Sequence, residues 1–385
     1  MSTLFPDFTP AWEDEELSAL RAHARAFFRA EATPNAERWA EQQHVDREFW
    51  RKAGAAGLLC IDVPEEYGGG GGHFGHEAVI QQELMLAHDT AFGESIHSIA
   101  AHYINSFGTH EQKLRWLPDL ASGEKVIGIA MTEPGAGSDL QSVRTTARRD
   151  GDHYVINGAK TFISNGTHMD LLVIVAKTDV SKGAKGISLI VAELDGLEGF
   201  TRGRVLKKVG LHGQDTRELF FSDMRVPVSN LIGDAEGLGF YQLMQQLPRE
   251  RLIIGISGAA MAEAAVLEAV EYAKTRDAFG KPILDFQHIR FELADCKTKT
   301  FAARSMIDVC IARLIEGELD ATTASMAKLY GSDIQCEVVD RCLQIFGGYG
   351  YMLEYPIARM YAAARVQKIY GGTNEIMRDL IGRTL

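Results

Sequence analysis

The sequence predicts a mostly α-helical protein with a β domain at its centre. Residues 1–124 and 235–385 place apolar side chains three and four residues apart, the spacing of one helix face. Residues 125–234 instead contain short β-branched and aromatic runs between turn signals, which is typical of strands. The predicted order is an N-terminal helical domain (1–124), a middle β domain or barrel (125–234) and a C-terminal helical bundle (235–385).

Length and composition exclude several classes of function. A chain of 385 residues with 46% hydrophobic residues has ample material for two or three large cores. The net charge of −12 argues against nucleic acid as a partner, since phosphate binding needs a basic face. No apolar run approaches the ~20 residues of a membrane span, so we expect none. Five scattered cysteines without a Cys-x-x-Cys motif favour a reducing compartment and inert thiols.

The N-terminus gives no secretory signal, because acidic residues follow its first ten positions and no basic start precedes an apolar stretch. We therefore expect a cytoplasmic protein if the source is bacterial, although a processed mitochondrial matrix protein would look the same. His73, His76, His97 and His102 do not form a His-Glu-x-x-His motif. A structural or surface role is expected for all four, and no metal site is predicted.

In the N-terminal domain, Leu17, Leu20, Ala24 and Phe27 share one face of a predicted helix. In the middle domain, Asn157-Gly158 separates two β-prone runs, which predicts a hairpin with a type I′ turn over 154–163. Further strands are predicted over three β-rich runs, residues 171–175, 187–191 and 219–221.

Two long helices are predicted in the C-terminal domain. Apolar residues continue at helical spacing from Ile289 to Leu314, and a second helix runs from about Thr323 to Phe346. Gly347-Gly348 ends the second helix. The small residues of 259–270 would let helices approach closely. Long antiparallel helices of this kind form a bundle.

The segment Val126–Leu140 begins as an apolar strand, breaks at Pro134 and passes through two glycines to Ser138 and Asp139. Its backbone N–H groups can point into a concave space and hold a carbonyl or a phosphate. A tight turn between strands is the simpler interpretation. The pattern does not fit Gly-x-Gly-x-x-Gly, because position 140 is Leu and no nucleotide-binding β-α-β unit surrounds it.

Taken as a whole, Met131-Thr-Glu-Pro-Gly-Ala-Gly-Ser-Asp139 resembles the flavin- and thioester-binding segment of the acyl-CoA dehydrogenases, and the resemblance covers nearly the whole chain. It implies a middle β-barrel, a C-terminal four-helix bundle and FAD bound between them. It also implies a homotetramer built as a dimer of dimers, with electron-transferring flavoprotein as the electron acceptor.

The resemblance further implies which residues bind FAD. One set lies in the Met131 segment and in Phe162-Ile-Ser164, where an aromatic ring packs on the flavin. A second set reaches the cofactor from the neighbouring subunit or seats its pyrophosphate, and a third opens the last helix. Without the family context, each set has a plain structural explanation: core aromatics, helix-end charges and helix caps. The implied cofactor residues are Met131, Thr132, Gly137, Ser138, Phe162, Ser164, Arg276, Phe279, Gln287, Gln344, Gly347, Gly348, Thr373 and Glu375.

The catalytic residue departs from the commonest pattern of the family. Many members carry their catalytic glutamate at the position that is Gly371 here, and glycine cannot accept a proton. The isovaleryl-CoA and long-chain branches instead place the base immediately before an arginine on an earlier helix. Glu250-Arg251 matches that arrangement. The C-terminal sequence over residues 364–377 looks closest to the long-chain branch. Glu250 is therefore predicted to be the base, although a solvated Arg-Glu-Arg face is the simpler explanation of such a triplet.

The implied reaction is the FAD-dependent α,β-dehydrogenation of a medium-chain, long-chain or branched acyl-CoA to the trans-2-enoyl-CoA. Burial would raise the pKa of Glu250 and Arg251 would oppose the rise. An N–H at or next to Gly371 would meet the thioester oxygen. Substrate contacts are predicted at Ser138, Leu243, Arg251, Gly371 and Gly372.

Three other functions remain open. An acyl-CoA oxidase or a flavin monooxygenase of the same fold would use oxygen as acceptor. If Gly371 marks lost catalysis and Glu250 is surface charge, the protein is a non-catalytic acyl-CoA-binding scaffold.

Overall fold

The computed structural model describes residues 4–385, and the predicted order of helical, β and helical parts is confirmed. The helices of the first part stack α1 on α4 and lead into α5, which contacts the first strand and the longest helix. Within the described residues, the α-helices of this part are α1 (Glu15–Phe27), α2 (Ala36–Gln42), α3 (Arg47–Ala55), α4 (Phe74–Leu86), α5 (Glu94–Phe107) and α6 (His110–Ala121).

The predicted face of α1 is found, since Leu17 and Ala24 are fully buried. The histidines of α5 have structural partners. His97 is buried and contacts the carbonyl of Leu120, and His102 lies 2.9 Å from a carboxylate oxygen of Asp62. Among residues 4–385, no group of three or more His, Cys, Asp or Glu residues could hold a metal ion.

The middle part is a curled seven-stranded sheet in the order β1-β4-β2-β3-β7-β6, with β5 paired to β4. β4 is the core strand, buried along almost its whole length. The strands are β1 (Ile127–Ala130), β2 (Thr146–Asp150), β3 (His153–Ser164), β4 (Leu171–Lys177), β5 (Ile187–Glu193), β6 (Phe200–Val205) and β7 (Thr216–Pro227).

The hairpin predicted at Asn157-Gly158 is wrong. β3 runs straight through both residues, and the ladder to β7 shifts register there. The Asn157 side chain hydrogen-bonds Asp223 across the strands, at 3.0 Å to its carboxylate. A Cβ on Gly158 would lie 2.4 Å from Thr145 Oγ1, so the glycine serves a close approach at a bulge rather than a turn.

The third part is built around three long helices. The middle one runs antiparallel to the other two, which lie parallel to each other. The two predicted helices are found within a few residues of their expected bounds. A short hairpin, β8 (Asp277–Ala278) and β9 (Lys281–Pro282), joins the first two, and the two last helices pack on α9. The helices are α7 (Gly239–Thr275), α8 (Gln287–Ile315), α9 (Ala321–Ile345), α10 (Pro356–Ala364) and α11 (Asn374–Gly382).

α7 and α9 touch backbone to backbone. A Cβ on Gly258 would lie 2.6 Å from the carbonyl oxygen of Gly331, and one on Gly331 would lie 2.7 Å from that of Gly255. The close approach expected of the small residues in this helix therefore occurs, and glycines slightly before 259–270 produce it.

The expectation that no run approaches the length of a membrane span is wrong for α7. By length and composition alone, Gly239–Thr275 is long and apolar enough to cross a membrane. However, 83% of the apolar window is buried inside the fold, where α7 packs against α4, α8 and α9. Burial of this extent is what a core helix shows, because its apolar side chains face other helices on all sides.

Candidate active site

The turn after β1 is a tight hairpin. The N–H of Glu133 donates to the carbonyl of Ala136 at 2.8 Å, and the N–H of Ala136 donates back at 3.1 Å. Pro134 and Gly135 form the tip, as the tight-turn interpretation predicts. Beyond the turn, Gly137 and Ser138 are exposed, and a Cβ on Gly137 would meet no atom within 4 Å. The segment therefore presents open backbone beside the sheet.

A buried ion pair between Lys160 and Glu133 holds this turn against the sheet. Lys160 Nζ lies 2.9 Å from Glu133 Oε1 and also donates to the carbonyls of Met131 and Val175. Glu133 in turn accepts the backbone N–H groups of Arg144 and Thr145. Burial lowers the pKa of Lys160 to about 8, while the carboxylate of Glu133 opposes the shift. The pair fixes the end of β1 relative to β3.

Replacing Lys160 by Met is expected to destabilise the protein by about 2 kcal/mol, because Glu133 loses one charged donor and keeps its two backbone donors. Urea unfolding measures the loss. Lys182→Met is the matched control, because Lys182 pairs with Asp179 on the surface and its side chain is 65% exposed. Equal stability of the two variants would contradict the supporting role of Lys160.

Phe162 stands beside this turn as an exposed aromatic residue. It has a φ of 61° and is 66% exposed, at the point where β3 shifts register against β7. The N–H of Thr161 donates to the carbonyl of Thr132 at 2.9 Å, which holds Phe162 next to the Met131 segment. Ser164 pairs with β7 at the end of the strand. An exposed ring on strained backbone indicates a surface that a flat ligand covers.

The second predicted cofactor group lies at the other end of α7. Arg276 caps the helix end, and its guanidinium carbon lies 5.9 Å from the centre of the Tyr349 ring. A cavity of about 540 Å³ opens here, lined in part by Arg276, Gly347 and Gly348. A Cβ placed on either glycine would have no other atom within 4 Å, so both glycines face open space.

Three further residues of this group lie on the elements that meet at this end of the bundle. Phe279 is 98% exposed at the tip of the β8–β9 hairpin with a φ of 52°, and Gln287 begins α8. Gln344 is exposed near the end of α9. The predicted cofactor residues thus form three groups within one chain: one on the β domain, one at this end of the bundle, and one, Thr373 and Glu375, at the start of α11. A fully exposed phenylalanine fits a contact with another molecule.

Glu250 lies in the middle of the fold, on α7, and is 7% exposed. The hydroxyl of Tyr103, on α5, donates to Glu250 Oε1 at 2.6 Å. Burial raises the pKa of Glu250, and the hydrogen bond from Tyr103 and then the charges of Arg251 and Arg249 oppose the rise. The solvated charged face that the triplet alone suggests is therefore wrong.

Arg251 is also buried, and its Nη1 lies 3.2 Å from Ser325 Oγ on α9. It opposes the rise in the pKa of Glu250 as expected, but the hydrogen bond from Tyr103 does so more strongly.

Gly371 and Gly372 form a turn before α11, next to α7. Gly371 has a φ of 63°, and a Cβ there would lie 2.2 Å from Ile254 Cδ1. Lys328, fully buried on α9, donates to the carbonyl of Gly372 at 2.7 Å and to Asn374 Oδ1 at 2.8 Å. Burial lowers the pKa of Lys328 to about 8. Ile254 therefore occupies the direction that a side chain at position 371 would take.

Gly371→Ala is expected to destabilise the protein by about 1–2 kcal/mol, because alanine is strained at this φ and its methyl group would displace Ile254. Thermal unfolding measures the change. Gly382→Ala, in α11, is the control, because a Cβ there meets no atom within 4 Å and its φ is not positive. A neutral Gly371→Ala would contradict the tight fit described here.

The remaining predicted residues differ in their surroundings. Thr373 caps α11, accepting from the N–H of Ile376 at 3.4 Å, and the Glu375 side chain is 81% exposed in the first turn. Met131 and Thr132 are half-buried. Leu243 is fully buried in the core on α7. The cap that Thr373 makes is the structural role expected from its position alone.

Sequence reasoning missed Tyr103, Lys160, Glu133 and Lys328. Tyr103 and Glu250 are 147 positions apart, so no local pattern joins them. The two lysines stand among small, polar and apolar residues, and nothing in those stretches marks them as buried. Lysine is rarely buried unless it is paired, so their burial was not expected.

The residues present fit a flavin dinucleotide. The β domain offers an exposed ring beside open glycine backbone, and the end of α7 offers a cavity with an arginine and two uncovered glycines. An aromatic face suits a flat ring system, and a guanidinium suits phosphate oxygens.

Comparison with known proteins covers the whole fold. Three family models match in order: acyl-CoA dehydrogenase, N-terminal domain, over residues 14–124; middle domain, over 128–224; and C-terminal domain, over 237–385. The long-chain specific acyl-CoA dehydrogenase of Sus scrofa mitochondria is 44% identical over 373 residues, which is 96% of this chain and 86% of the relative.

Two solved structures agree with this match. The acyl-CoA dehydrogenase of Geobacillus kaustophilus has a TM-score of 0.94 at 45% identity, covering 98% of this chain and 99% of that one. The acyl-CoA dehydrogenase of Bacillus anthracis, solved in complex with FAD, has a TM-score of 0.91 at 34% identity, covering 100% of this chain and 69% of that one. The chain therefore belongs to the acyl-CoA dehydrogenase family and is an FAD-dependent oxidoreductase.

Proposed function

We propose that this acyl-CoA dehydrogenase oxidises a medium-chain, long-chain or branched acyl-CoA to its trans-2-enoyl-CoA, with Glu250 as the base that removes the α-proton. The observation that carries this is the carboxylate of Glu250, which is buried on α7 with a raised pKa. It lies about one helical turn before Ile254, the residue that faces Gly371, and Gly371 has no side chain. The long-chain specificity of the Sus scrofa relative supports this choice of substrate.

The pKa of Glu250 suits a base. An ordinary carboxylate holds a proton too weakly to take one from carbon at a useful rate, and burial corrects this. Tyr103 and Arg251 oppose the rise in the pKa of Glu250, and this favours the ionised carboxylate that a base needs. A catalytic pKa near the working pH gives the best general base.

The turn at Gly371-Gly372 supplies the second element of the mechanism. Enolate charge develops on the thioester oxygen as the α-proton leaves, and an N–H at or next to Gly371 would stabilise it. Lys328 holds this turn through the carbonyl of Gly372, so the N–H is oriented before substrate binds. Leu243 and Arg251 on α7, with Ser138 and Gly372, complete the proposed substrate contacts.

Bound FAD supplies the acceptor for the hydride that leaves the β-carbon. We propose that it is held on the β domain by Met131, Thr132, Gly137, Ser138, Phe162 and Ser164, and near the last helix by Thr373 and Glu375. A neighbouring subunit would add the residues around its α7 end, which are Arg276, Phe279, Gln287, Gln344, Gly347 and Gly348.

That division of the cofactor site supports the proposed homotetramer, a dimer of dimers, since Phe279 projects fully exposed from the chain. Electron-transferring flavoprotein is the proposed acceptor. The proposed location is the cytoplasm of a bacterium or the mitochondrial matrix.

An anaerobic titration with straight-chain and branched acyl-CoA thioesters tests this function. We expect bleaching of the flavin absorbance by the preferred thioester, release of a 2-enoyl-CoA on mass analysis, and slow turnover with oxygen alone. Rapid oxygen consumption would instead favour an oxidase or monooxygenase. Binding without bleaching by any thioester would favour a non-catalytic scaffold.

A further inference from the structure

We propose that Tyr103 is a positioning residue for Glu250, fixing which carboxylate oxygen accepts the substrate proton. This inference rests on the proposed function of Glu250 as the base. The Tyr103 hydroxyl lies 2.6 Å from Glu250 Oε1, and Tyr103 is fully buried. Because Oε1 is occupied by this donor, Oε2 is the oxygen left to take a proton.

The charged side chains around Glu250 are directed to other partners, and Tyr103 donates the hydrogen bond to its carboxylate. On its own helix, Arg249 is directed to Asp62 at 2.7 Å and Arg251 to Ser325 at 3.2 Å. On α4, Glu77 lies 3.7 Å from Arg249, and on α9, Lys328 is directed to the Gly372 turn. Both arginines act on Glu250 through their charge, while the hydrogen bond comes from the tyrosine.

A second link keeps Tyr103 in register with Glu250. Asp62 contacts His102 at 2.9 Å through one carboxylate oxygen and Arg249 at 2.7 Å through the other. His102 precedes Tyr103 on α5, and Arg249 precedes Glu250 on α7. The two helices are therefore joined by two adjacent bridges, and neither can slide without breaking both.

The tyrosine also affects the protonation of the base. Burial and the neighbouring carboxylate hold the pKa of Tyr103 well above its usual range, so it donates throughout the working pH range. A donor to the ionised carboxylate favours that form. The free base is therefore ionised at a lower pH than burial alone would allow.

Tyr103→Phe tests the inference. Loss of the donor should move the acid limb of the kcat/KM profile upward by about one pH unit or more, because hydrogen bonds to charged groups are among the stronger ones. Tyr154→Phe is the matched control: Tyr154 is buried in the β domain and its hydroxyl donates to Glu236 at 2.8 Å, and the loss of this bond should leave the limb in place.

A second variant keeps the shape of the side chain. A 3-fluorotyrosine at position 103 is a stronger donor, so the acid limb should move to lower pH. A purely structural role for Tyr103 would lower thermal stability in Tyr103→Phe and move the limb in neither variant, and that result would overturn the inference.

Wash-out of α-deuterium from a deuterated acyl-CoA separates this inference from the proposed function. Glu250→Gln should abolish the exchange, and adding Tyr103→Phe to it should change nothing further. If Glu250→Gln exchanges normally, the proposed function itself is wrong. If Glu250→Gln is inert but Tyr103→Phe keeps the wild-type pH profile, the inference about Tyr103 alone is wrong.

Discussion

Glu250→Gln is expected to lower kcat/KM by about 10³-fold, within the range that a positioned general base contributes. The amide keeps the size of the side chain and can still accept the hydrogen bond of Tyr103, so FAD content and stability should change little. Steady-state rates with the best thioester, normalised to bound flavin, measure the effect.

The control for this variant is Glu271→Gln on the same helix. Its carboxylate is exposed and pairs with Lys274 at 2.7 Å, so turnover should stay at the wild-type rate. Near-normal turnover by Glu250→Gln with full FAD occupancy would mean that another group removes the proton.

Asp62→Ala is expected to cost about 3–5 kcal/mol of stability, the largest stability loss predicted for this protein. Removing one member of a buried ion pair leaves the other charge without compensation. Arg249 would lose its nearer carboxylate at 2.7 Å and keep Glu77 at 3.7 Å, and His102 would lose its contact at 2.9 Å. Chemical unfolding of the variant measures the cost.

The matched control is Asp150→Ala, which removes a pair of similar length with Arg225, at 2.9 Å on the surface. Exposed pairs contribute about 0–1 kcal/mol, so this variant should unfold almost as the wild type does. If the two variants lost equal stability, burial would not be what makes the Asp62 link important.

The Asp62 link also has a pH dependence. Burial alone would raise the pKa of Asp62, but Arg249 and His102 bring it below its usual range. Because the folded pKa is the lower one, the contribution of Asp62 is present above the unfolded pKa of about 4 and is lost as the pH falls further. The stability gap between wild type and Asp62→Ala should therefore narrow in acid.

The elements that could be predicted are those in which apolar residues recur at a regular spacing. The spacing from Ile289 to Leu314 and from Thr323 to Phe346 predicts α8 and α9 to within about two residues at each end, because long buried helices need a continuous apolar face. Asn157-Gly158 misled because the same two residues suit a turn and a bulge, and the choice depends on Thr145 and Asp223, which are distant in sequence.

The candidate site divides in the same way. Residues in contiguous motifs, such as Met131–Asp139, could be predicted as contacts. Glu250 could be predicted as the base because position 371 has no carboxylate. Tyr103 and Lys328 were invisible because their roles arise only when α5 and α9 pack on α7. Long-range partners of this kind have no signature in a single sequence.

The glycine contact between α7 and α9 determines the dimensions of the proposed catalytic centre. Glu250 and Ile254 lie on one helix and Lys328 on the other, so the distance between Glu250 and the Gly371 turn follows from how closely the two main chains meet. Main-chain atoms are far less adjustable than side chains. Enlarging Gly255 or Gly331 by one methyl group would increase that distance, so we expect the proposed proton transfer to Glu250 to slow although the change lies in the helix contact.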